Sequence, residues 1–382
     1  MPLRDYQETM VRDIHAAWGS HRVAMAQLAT GGGKTHVFCA ALVHDDSPVC
    51  AIAHRQELVG QMSLTLGRQG IRHGIIAPDA IVREIAQHHV REIGRSWVAQ
   101  DAPCRVAGVD TLLRRRDLGP WLSRVRRWGI DEGHHLLRDN KWGRAVALFP
   151  PSSRGLAVTA TPVRSDGAGL GSHADGLADV LIEGPSMAEL MRRGYLVADY
   201  KIFAPRSDLR LDAVPVSNAT GDYSSRALAE ATRRSSIVGD IVETYRANAW
   251  GKRGVTFMPS VDLAADVAAR YRAAGVPAEV VAADTPLLAR AEIVRRFAQG
   301  ELWQLVNVDI FGEGFDLPAV EVVSMGRATA SYGLFAQQFG RALRPAEGKT
   351  HALILDHVGN VLGPRGTGRH GVPDAPRAWS LD

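Results

Sequence analysis

Two tandem α/β domains, each built on a parallel sheet, are predicted by three observations. Short apolar runs alternate with helical patterns along both halves of the chain, and strands separated by helices pair in parallel. The 382 residues are enough for two full cores. Apolar and charged contents of 46% and 23% are those of an ordinary globular protein.

In the first half, residues 23–28, 49–53, 105–109 and 156–161 are apolar enough to be buried parallel strands. Residues 35–43 form the helix that follows a Gly-rich loop, and 187–194 form another that Gly194 stops. Residues 126–130, Arg-Arg-Trp-Gly-Ile, are basic and interrupted by Gly129, a poor strand former, but their spacing from the Gly-rich loop keeps them as a strand. The stretch 165–171 is loop, and the first domain is expected to span 1–198. In the second, 199–382, strands are expected at 255–258, 279–282, 302–308, 320–325 and 351–355. Helices are expected at 261–274, 286–299 and 331–343. Residues 207–223 read as an irregular connector, and the chain after 363 as loop.

Several function classes are excluded or disfavoured. No apolar run reaches about eighteen residues, and the first residues lack the apolar core of a secretory leader, so a cytoplasmic protein without membrane contact is expected. Cys39, Cys50 and Cys104 show no C-x-x-C spacing and read as buried small hydrophobes. The net charge of +4 does not by itself identify a polyanion partner. Lysine occurs at only five positions, so the positive charge is nearly all arginine. A GC-rich genome explains that bias at least as well as bidentate phosphate contacts do. Arg114, Arg115, Arg116, Arg124, Arg126 and Arg127 are read as a solvated face, with phosphate attraction left open. His134 and His135 are adjacent and lack a third ligand, which argues against a metal pair.

The chemistry begins with Ala29-Thr30-Gly31-Gly32-Gly33-Lys34-Thr35, which follows a strand and opens a helix. Glycines there let backbone N–H groups point inward around phosphates, helped by the helix N-terminus. Lys34 is placed to reach the β- and γ-phosphates of a nucleoside triphosphate, and Thr35 to ligate Mg²⁺. The strict G-x-x-x-x-G-K-T pattern needs glycine where this chain has Leu28. Asp131-Glu132-Gly133-His134 supplies the second half. A carboxylate at a strand end can hold the Mg²⁺ water shell (Asp131), and its neighbour can orient and deprotonate the attacking water (Glu132). Far downstream, Gln337-Gln338-Phe339-Gly340-Arg341-Ala342-Leu343-Arg344-Pro345 puts two arginines three apart on a helix, suited to a γ-phosphate.

In this order the motifs resemble superfamily 2 helicases of the DEAD/DEAH-box kind, over nearly the whole chain. Within that group they are most similar to type III restriction motor subunits, RadD-type repair helicases and related phage helicases. The resemblance implies two RecA-like (P-loop NTPase) domains with an ATP cleft between them, and an ATP-dependent DNA helicase or translocase. It assigns Gln7, with Arg4 nearby, to the adenine edge, and Thr30, Gly31, Gly32 and Gly33 to the phosphates. It implies nucleic-acid backbone contacts at Arg55 and Gln56, at Asp110 and Thr111, at Pro259 and Ser260, and at Asn307. His134, Thr159 and Thr161 would couple hydrolysis to the nucleic-acid side. Gly314 would allow close approach, and Asp316 would bond the ribose or a partner domain. Gln337 would order water, with Arg341 and Arg344 as fingers. Val308 stands where many relatives have threonine, and Gln338 where an arginine is frequent. Relatives often carry a Cys-rich tail that has no counterpart here, so the expectation is either a minimal motor or one that takes its specificity from a protein partner. Two alternatives stay open: an RNA helicase of the same architecture, and an ATPase that switches a binding surface without moving.

Overall fold

The structure is a computed structural model that describes residues 2–164, 168–217, 221–308, 320–361 and 369–382. Gly314 and Asp316 therefore lie outside the described residues, as do residues 165–167 of the loop expected at 165–171. By contacts the chain divides into two compact units. The first is Met1–Ala29, Gly33–Pro185 and Ala378–Asp382; the second is Thr30–Gly32 and Ser186–Arg377. The division falls at Pro185 and not at Ala198, and the last five residues belong to the first unit. Leu381 brings them there: its carbonyl accepts from the N–H groups of Leu170 and Gly171 at 2.8 and 2.9 Å, and its side chain packs on the core.

The first unit runs α1 (Asp5–Ala17), β1 (Val23–Gln27), α2 (Lys34–Leu42), β2 (Val49–Ala53), α3 (Gln56–Arg68), β3 (Gly74–Ile76), α4 (Asp79–Ile93) and β4 (Cys104–Gly108). It continues with α5 (Val109–Arg114), α6 (Gly119–Leu122), β5 (Arg127–Asp131), a 3₁₀ turn (Gly133–His135), α7 (Lys141–Val146), β6 (Arg154–Thr159) and β7 (Val180–Glu183). Its seven-stranded sheet has the order β3-β4-β2-β5-β6-β1-β7, with every pairing parallel. The central strands β1, β2 and β5 are buried along their whole length, as apolar runs covered by helices on both faces must be.

β5 is stronger than its composition suggests. A Cβ on Gly129 would lie 2.4 Å from Leu42 Cδ1 and 2.5 Å from Phe38 Cε2. The glycine thus lets α2 pack directly on the sheet. The basic start of the strand is also neutralised. Buried Arg127 donates to the Leu42 carbonyl at 2.7 Å and forks onto the Asp45 carboxylate, whose pKa this guanidinium holds far below the usual range. Trp128, Trp121, Trp142 and Phe149 fill the core around β5. The three cysteines are buried and free, and burial raises each thiol pKa.

The second unit runs α8 (Met187–Arg192), β8 (Tyr200–Phe203), α9 (Ser225–Arg233), α10 (Ile237–Ala249), β9 (Gly254–Phe257), α11 (Val261–Ala273), β10 (Ala278–Val281) and α12 (Leu287–Ala298). β11 (Gln304–Asn307), β12 (Val322–Met325), α13 (Tyr332–Ala342) and β13 (Ala352–Asp356) complete it. The six-stranded sheet has the order β10-β11-β9-β12-β13-β8, again parallel throughout. No helix among the described residues is long and apolar enough to cross a membrane.

One buried polar cluster ties α3, β3 and α4 together. Ser63 lies 2.6 Å from His73 Nε2 and 3.0 Å from His89 Nε2. His73 Nδ1 meets the Ile71 carbonyl at 2.9 Å, and His89 Nδ1 accepts from the Trp97 N–H at 3.3 Å. The donors can be satisfied in one way: His89 Nε2–H donates to Ser63, and the Ser63 hydroxyl donates to His73, whose Nδ1–H donates to the carbonyl. Both rings are then neutral, in keeping with burial lowering both pKa values, that of His89 from 6.5 to about 4. Because the unfolded chain takes up these protons first, the stabilisation is complete above pH 6.5. It is lost as pH falls from 6.5 towards 4. The thermal unfolding midpoint should fall over that range. His89→Gln, whose amide can still donate to Ser63, should flatten the slope; an unchanged slope would show that this cluster does not titrate.

Candidate functional site

Parallel strands end on the same edge of a sheet, and in α/β folds ligands meet that edge. In the first unit the C-terminal ends of β4, β2, β5, β6 and β1 follow one another there. The sequence motifs sit at those ends: Asp110 and Thr111 after β4, Arg55 and Gln56 after β2, Asp131 and Glu132 at β5, Thr159 and Thr161 at β6, and Lys34 and Thr35 after β1. The register pairs Ala53 with Gly108, which places the two expected nucleic-acid segments side by side.

The loop after β1 turns through left-handed backbone at Gly31 (φ 86°) and Gly33 (φ 81°), the second of which is the N-cap of α2. Lys34 and Thr35 are half-buried in the first turn of that helix. Gln7, buried on α1, lies against the loop: a Cβ on Gly33 would be 2.5 Å from its Nε2. Its Oε1 accepts from the Arg4 N–H at 2.9 Å, and Arg4 in turn donates to the Tyr6 hydroxyl at 3.2 Å. The segment expected to read adenine is therefore next to the segment expected to hold phosphates.

Asp131 and Glu132 are both buried. Glu132 has φ 55°, the one left-handed non-glycine residue among those described. Such a conformation costs on the order of 1–3 kcal/mol and persists where the surroundings enforce it. Part of the enforcement is the Asp131 carboxylate, which accepts from the Glu132 N–H at 2.9 Å. Thr35 and Asp131 offer hard oxygen donors of the kind that bind Mg²⁺ together with phosphate oxygens and water, so the donor set fits that ion. Among the described residues no group of three or more His, Cys, Asp and Glu could hold a metal by itself.

His134, Thr159 and Thr161 do come together. The Thr159 hydroxyl donates to the Thr161 carbonyl at 3.1 Å and accepts from the Thr161 N–H at 3.1 Å. His134 Nδ1 is 3.1 Å from the same hydroxyl and 3.4 Å from Glu132 Oε2. With the hydroxyl hydrogen committed to Thr161, Nδ1 must carry the imidazole hydrogen and donate it to Thr159. His134 thus lies between the Glu132 carboxylate and the segment after β6.

The expected nucleic-acid residues differ in accessibility. Gln56 and Asp110 are exposed, while Arg55 and Thr111 are half-buried. Asp110 is paired with Lys141 Nζ at 3.3 Å, which links α5 to α7. In the second unit, Pro259 is buried and Ser260 is the half-buried N-cap of α11. The Ser260 hydroxyl oxygen is itself buried, with no hydrogen-bond partner among the described residues. Asn307 is buried at the end of β11, so it supports the strand end and is not presented as an exposed contact. Val308 is buried as well.

Helix α13 carries Gln337, Gln338 and Arg341 as buried residues, and Arg344 follows it half-buried. Lys349, to which the sequence reading gave no role, holds the end of this helix. Its ammonium donates to the carbonyls of Ala342, Arg344 and Val320, the last two at 2.9 and 2.6 Å. A cation is favoured at the C-terminal end of a helix, and a lysine just past it was the available signal. Burial lowers the Lys349 pKa to about 8.

The hydrogen bonds of Thr159 can be tested by stability. Thr159→Val removes the buried hydroxyl but keeps the shape, leaving His134 Nδ1–H and the Thr161 N–H short of an acceptor. Denaturant unfolding should show a loss of about 1–3 kcal/mol. An unchanged midpoint would mean that the hydroxyl holds nothing in place.

Comparisons with known proteins bear on the family and the fold. Residues 1–164 match the family model described as type III restriction enzyme, res subunit, and residues 236–346 match the helicase conserved C-terminal domain. The chain is 32% identical over 249 residues to a 51.5 kDa protein of a Lactococcus phage (isolate 7-9), covering 65% of this chain and 51% of that protein. It is 28% identical over 385 aligned residues to IRC3 of Saccharomyces cerevisiae, provisionally named an ATP-dependent helicase, covering 94% and 51% respectively. It is 27% identical over 379 residues to Rad25 of Haloarcula marismortui, provisionally named a DNA 3'-5' helicase, covering 92% and 52%. The chain thus spans about half the length of the curated relatives it matches. Among solved structures, S. cerevisiae Dbp5 bound to RNA and ADP BeF3 superposes with a TM-score of 0.58 at 15% identity, covering 93% of this chain and 87% of that one. That likeness concerns the fold, two RecA-like α/β domains.

Proposed function

Starting from a chain that belongs to superfamily 2 of the helicases, on the branch related to the type III restriction res subunit, we propose that it is an ATP-dependent DNA helicase or translocase. The observation that carries this reading is the ordered edge of the first sheet. Nucleic-acid segments at β4 and β2, paired carboxylates at β5, coupling threonines at β6 and a phosphate loop at β1 adjoin one another along it.

In this proposal the substrate is MgATP. Gln7 and Arg4 hold the adenine end, and the amides of Thr30, Gly31, Gly32 and Gly33 hold the phosphates, with Lys34 at the β- and γ-oxygens. Thr35 and Asp131 hold Mg²⁺, which offsets charge developing on the transferring phosphate. Glu132 orients the attacking water and takes its proton. Gln337 helps order that water, while Arg341 and Arg344 stabilise the phosphoryl charge. Nucleic acid is held by its backbone through Arg55, Gln56, Thr111, Pro259 and Ser260, so sequence preference is weak and affinity falls with salt. Asn307 supports the last of these segments from within, and Asp110 places Thr111 through its pair with Lys141. His134 carries the state of Glu132 to Thr159 and Thr161. Gly314 and Asp316 keep the nucleotide-side roles that the motif order implies.

DNA is preferred over RNA because the first-unit match is to a restriction subunit and one relative is named for DNA. RNA is the second reading, favoured by the RNA-bound structure that shares the fold. Steady-state ATPase with single-stranded DNA, duplex DNA and RNA separates the two. Turnover should rise on adding DNA and stay at its basal level with RNA; the reverse pattern makes the chain an RNA helicase, and indifference to both removes the motor reading. Lys34→Ala and Glu132→Gln should each lower the stimulated rate by about a hundredfold or more.

A further inference from the structure

We propose that Asp222, a residue outside the motif series, is a positioning residue for ATP hydrolysis, acting through the junction that delivers α13 and Arg341. The inference rests on the reading of Arg341 as a group that stabilises the transferring phosphate.

Asp222 lies in the irregular connector before α9, and its carboxylate is nine-tenths buried. Four donors converge on it. Oδ1 accepts from the Ala330 N–H at 2.7 Å, the Tyr223 N–H at 2.8 Å and the Thr329 hydroxyl at 3.0 Å, and Oδ2 faces the Arg327 guanidinium at 3.2 Å. The two carboxylate oxygens thus serve all four donors, one of them a guanidinium. Arg327 is buried too, and the Asp222 charge opposes the desolvation that lowers its pKa.

The residues so held, 327–331, join β12 to α13. Thr329 is gripped at every polar atom. Its N–H donates to Asn360 Oδ1 at 3.2 Å, its carbonyl accepts from His370 Nε2–H at 2.9 Å, and its hydroxyl oxygen accepts from the Ser331 N–H at 3.0 Å. Asn360 also donates to the Arg327 carbonyl at 3.0 Å. Ser331 is the N-cap of α13, its hydroxyl accepting from the Leu334 N–H at 3.3 Å. Asp222 therefore fixes where α13 starts, and α13 carries Gln337 and Arg341 as a rigid rod. A displacement of about 1 Å in a charge-stabilising group can cost on the order of a hundredfold in rate while leaving ground-state binding in place. That is why a residue with no reach to the nucleotide can control turnover.

Asp222→Asn keeps the shape but turns an N–H₂ group towards Arg327. Its stimulated ATPase kcat should fall by about tenfold to a hundredfold, with KM for ATP and affinity for a fluorescent ATP analogue within about twofold of wild type. Asp222→Asn with Arg327→Gln pairs two amides in place of the two charges and should recover most of the lost kcat. Arg341→Ala, measured in parallel, should also lose kcat. If Asp222→Asn lowers the unfolding midpoint but turns over at the wild-type rate well below that midpoint, the residue is structural only and the proposal is overturned. If Arg341→Ala keeps full turnover, the reading of Arg341 fails and this proposal with it; if only Arg341→Ala is slow, this proposal fails alone. Should Asp222→Asn not fold, Thr329→Val removes one of the four donors and must show the same kcat-only loss; wild-type turnover in that variant overturns the proposal.

Discussion

Parallel pairing throughout the first sheet is the constraint on which the rest of the structure depends. A parallel strand cannot be followed by its neighbour without a crossover, so every strand end that matters is delivered to one edge. β5 sits at the centre of that arrangement, between β2 and β6. Its place depends on Gly129, which admits Phe38 and Leu42 of α2, and on Asp45, which neutralises Arg127. Because α2 also begins with Lys34, the packing that seats β5 fixes the distance between the phosphate loop and the carboxylates. Core packing and site geometry are here the same contact.

Buried polar groups carry the second level of order. In both units, hydroxyls and carboxylates are placed where several donors converge: Thr159 between His134 and Thr161, and Asp222 among Arg327, Thr329 and Ala330. A half-satisfied network of this kind would destabilise the fold, while a fully bonded one permits a single arrangement. Glu132 shows what such rigidity allows. A glutamate in left-handed backbone is held because its N–H is bonded to Asp131 and its carboxylate lies near His134. Strain at that position is consistent with a catalytic assignment and has no stabilising purpose of its own.

Much of this was legible in the sequence where the signal is local. The phosphate loop, the D-E-G-H segment and the buried strands β1, β2, β9 and β13 are contiguous patterns, and their order along the chain carried the family resemblance. Short edge strands were not legible: β7 and β8 have four residues each and none of them is fully buried. β5 was undervalued because strand propensity does not register a glycine required by a neighbouring helix. The second unit begins at Ser186, and the Val197 N–H to Leu343 carbonyl bond of 2.9 Å ties the segment after α8 to that unit across a span no local signal reports. Asp222 left no trace, since three of its four partners lie more than a hundred residues away and no spacing rule connects them.

The central claim is that hydrolysis by Lys34, Asp131 and Glu132 drives movement along DNA. The most direct measurement is displacement of a third strand from a triplex placed ahead of the protein on duplex DNA, followed in time at saturating MgATP. The account predicts release of the third strand with ATP, none with a non-hydrolysable analogue, and none with Glu132→Gln. Rapid DNA-stimulated hydrolysis with the third strand left in place would contradict it, and would make the chain an ATP-operated switch on DNA.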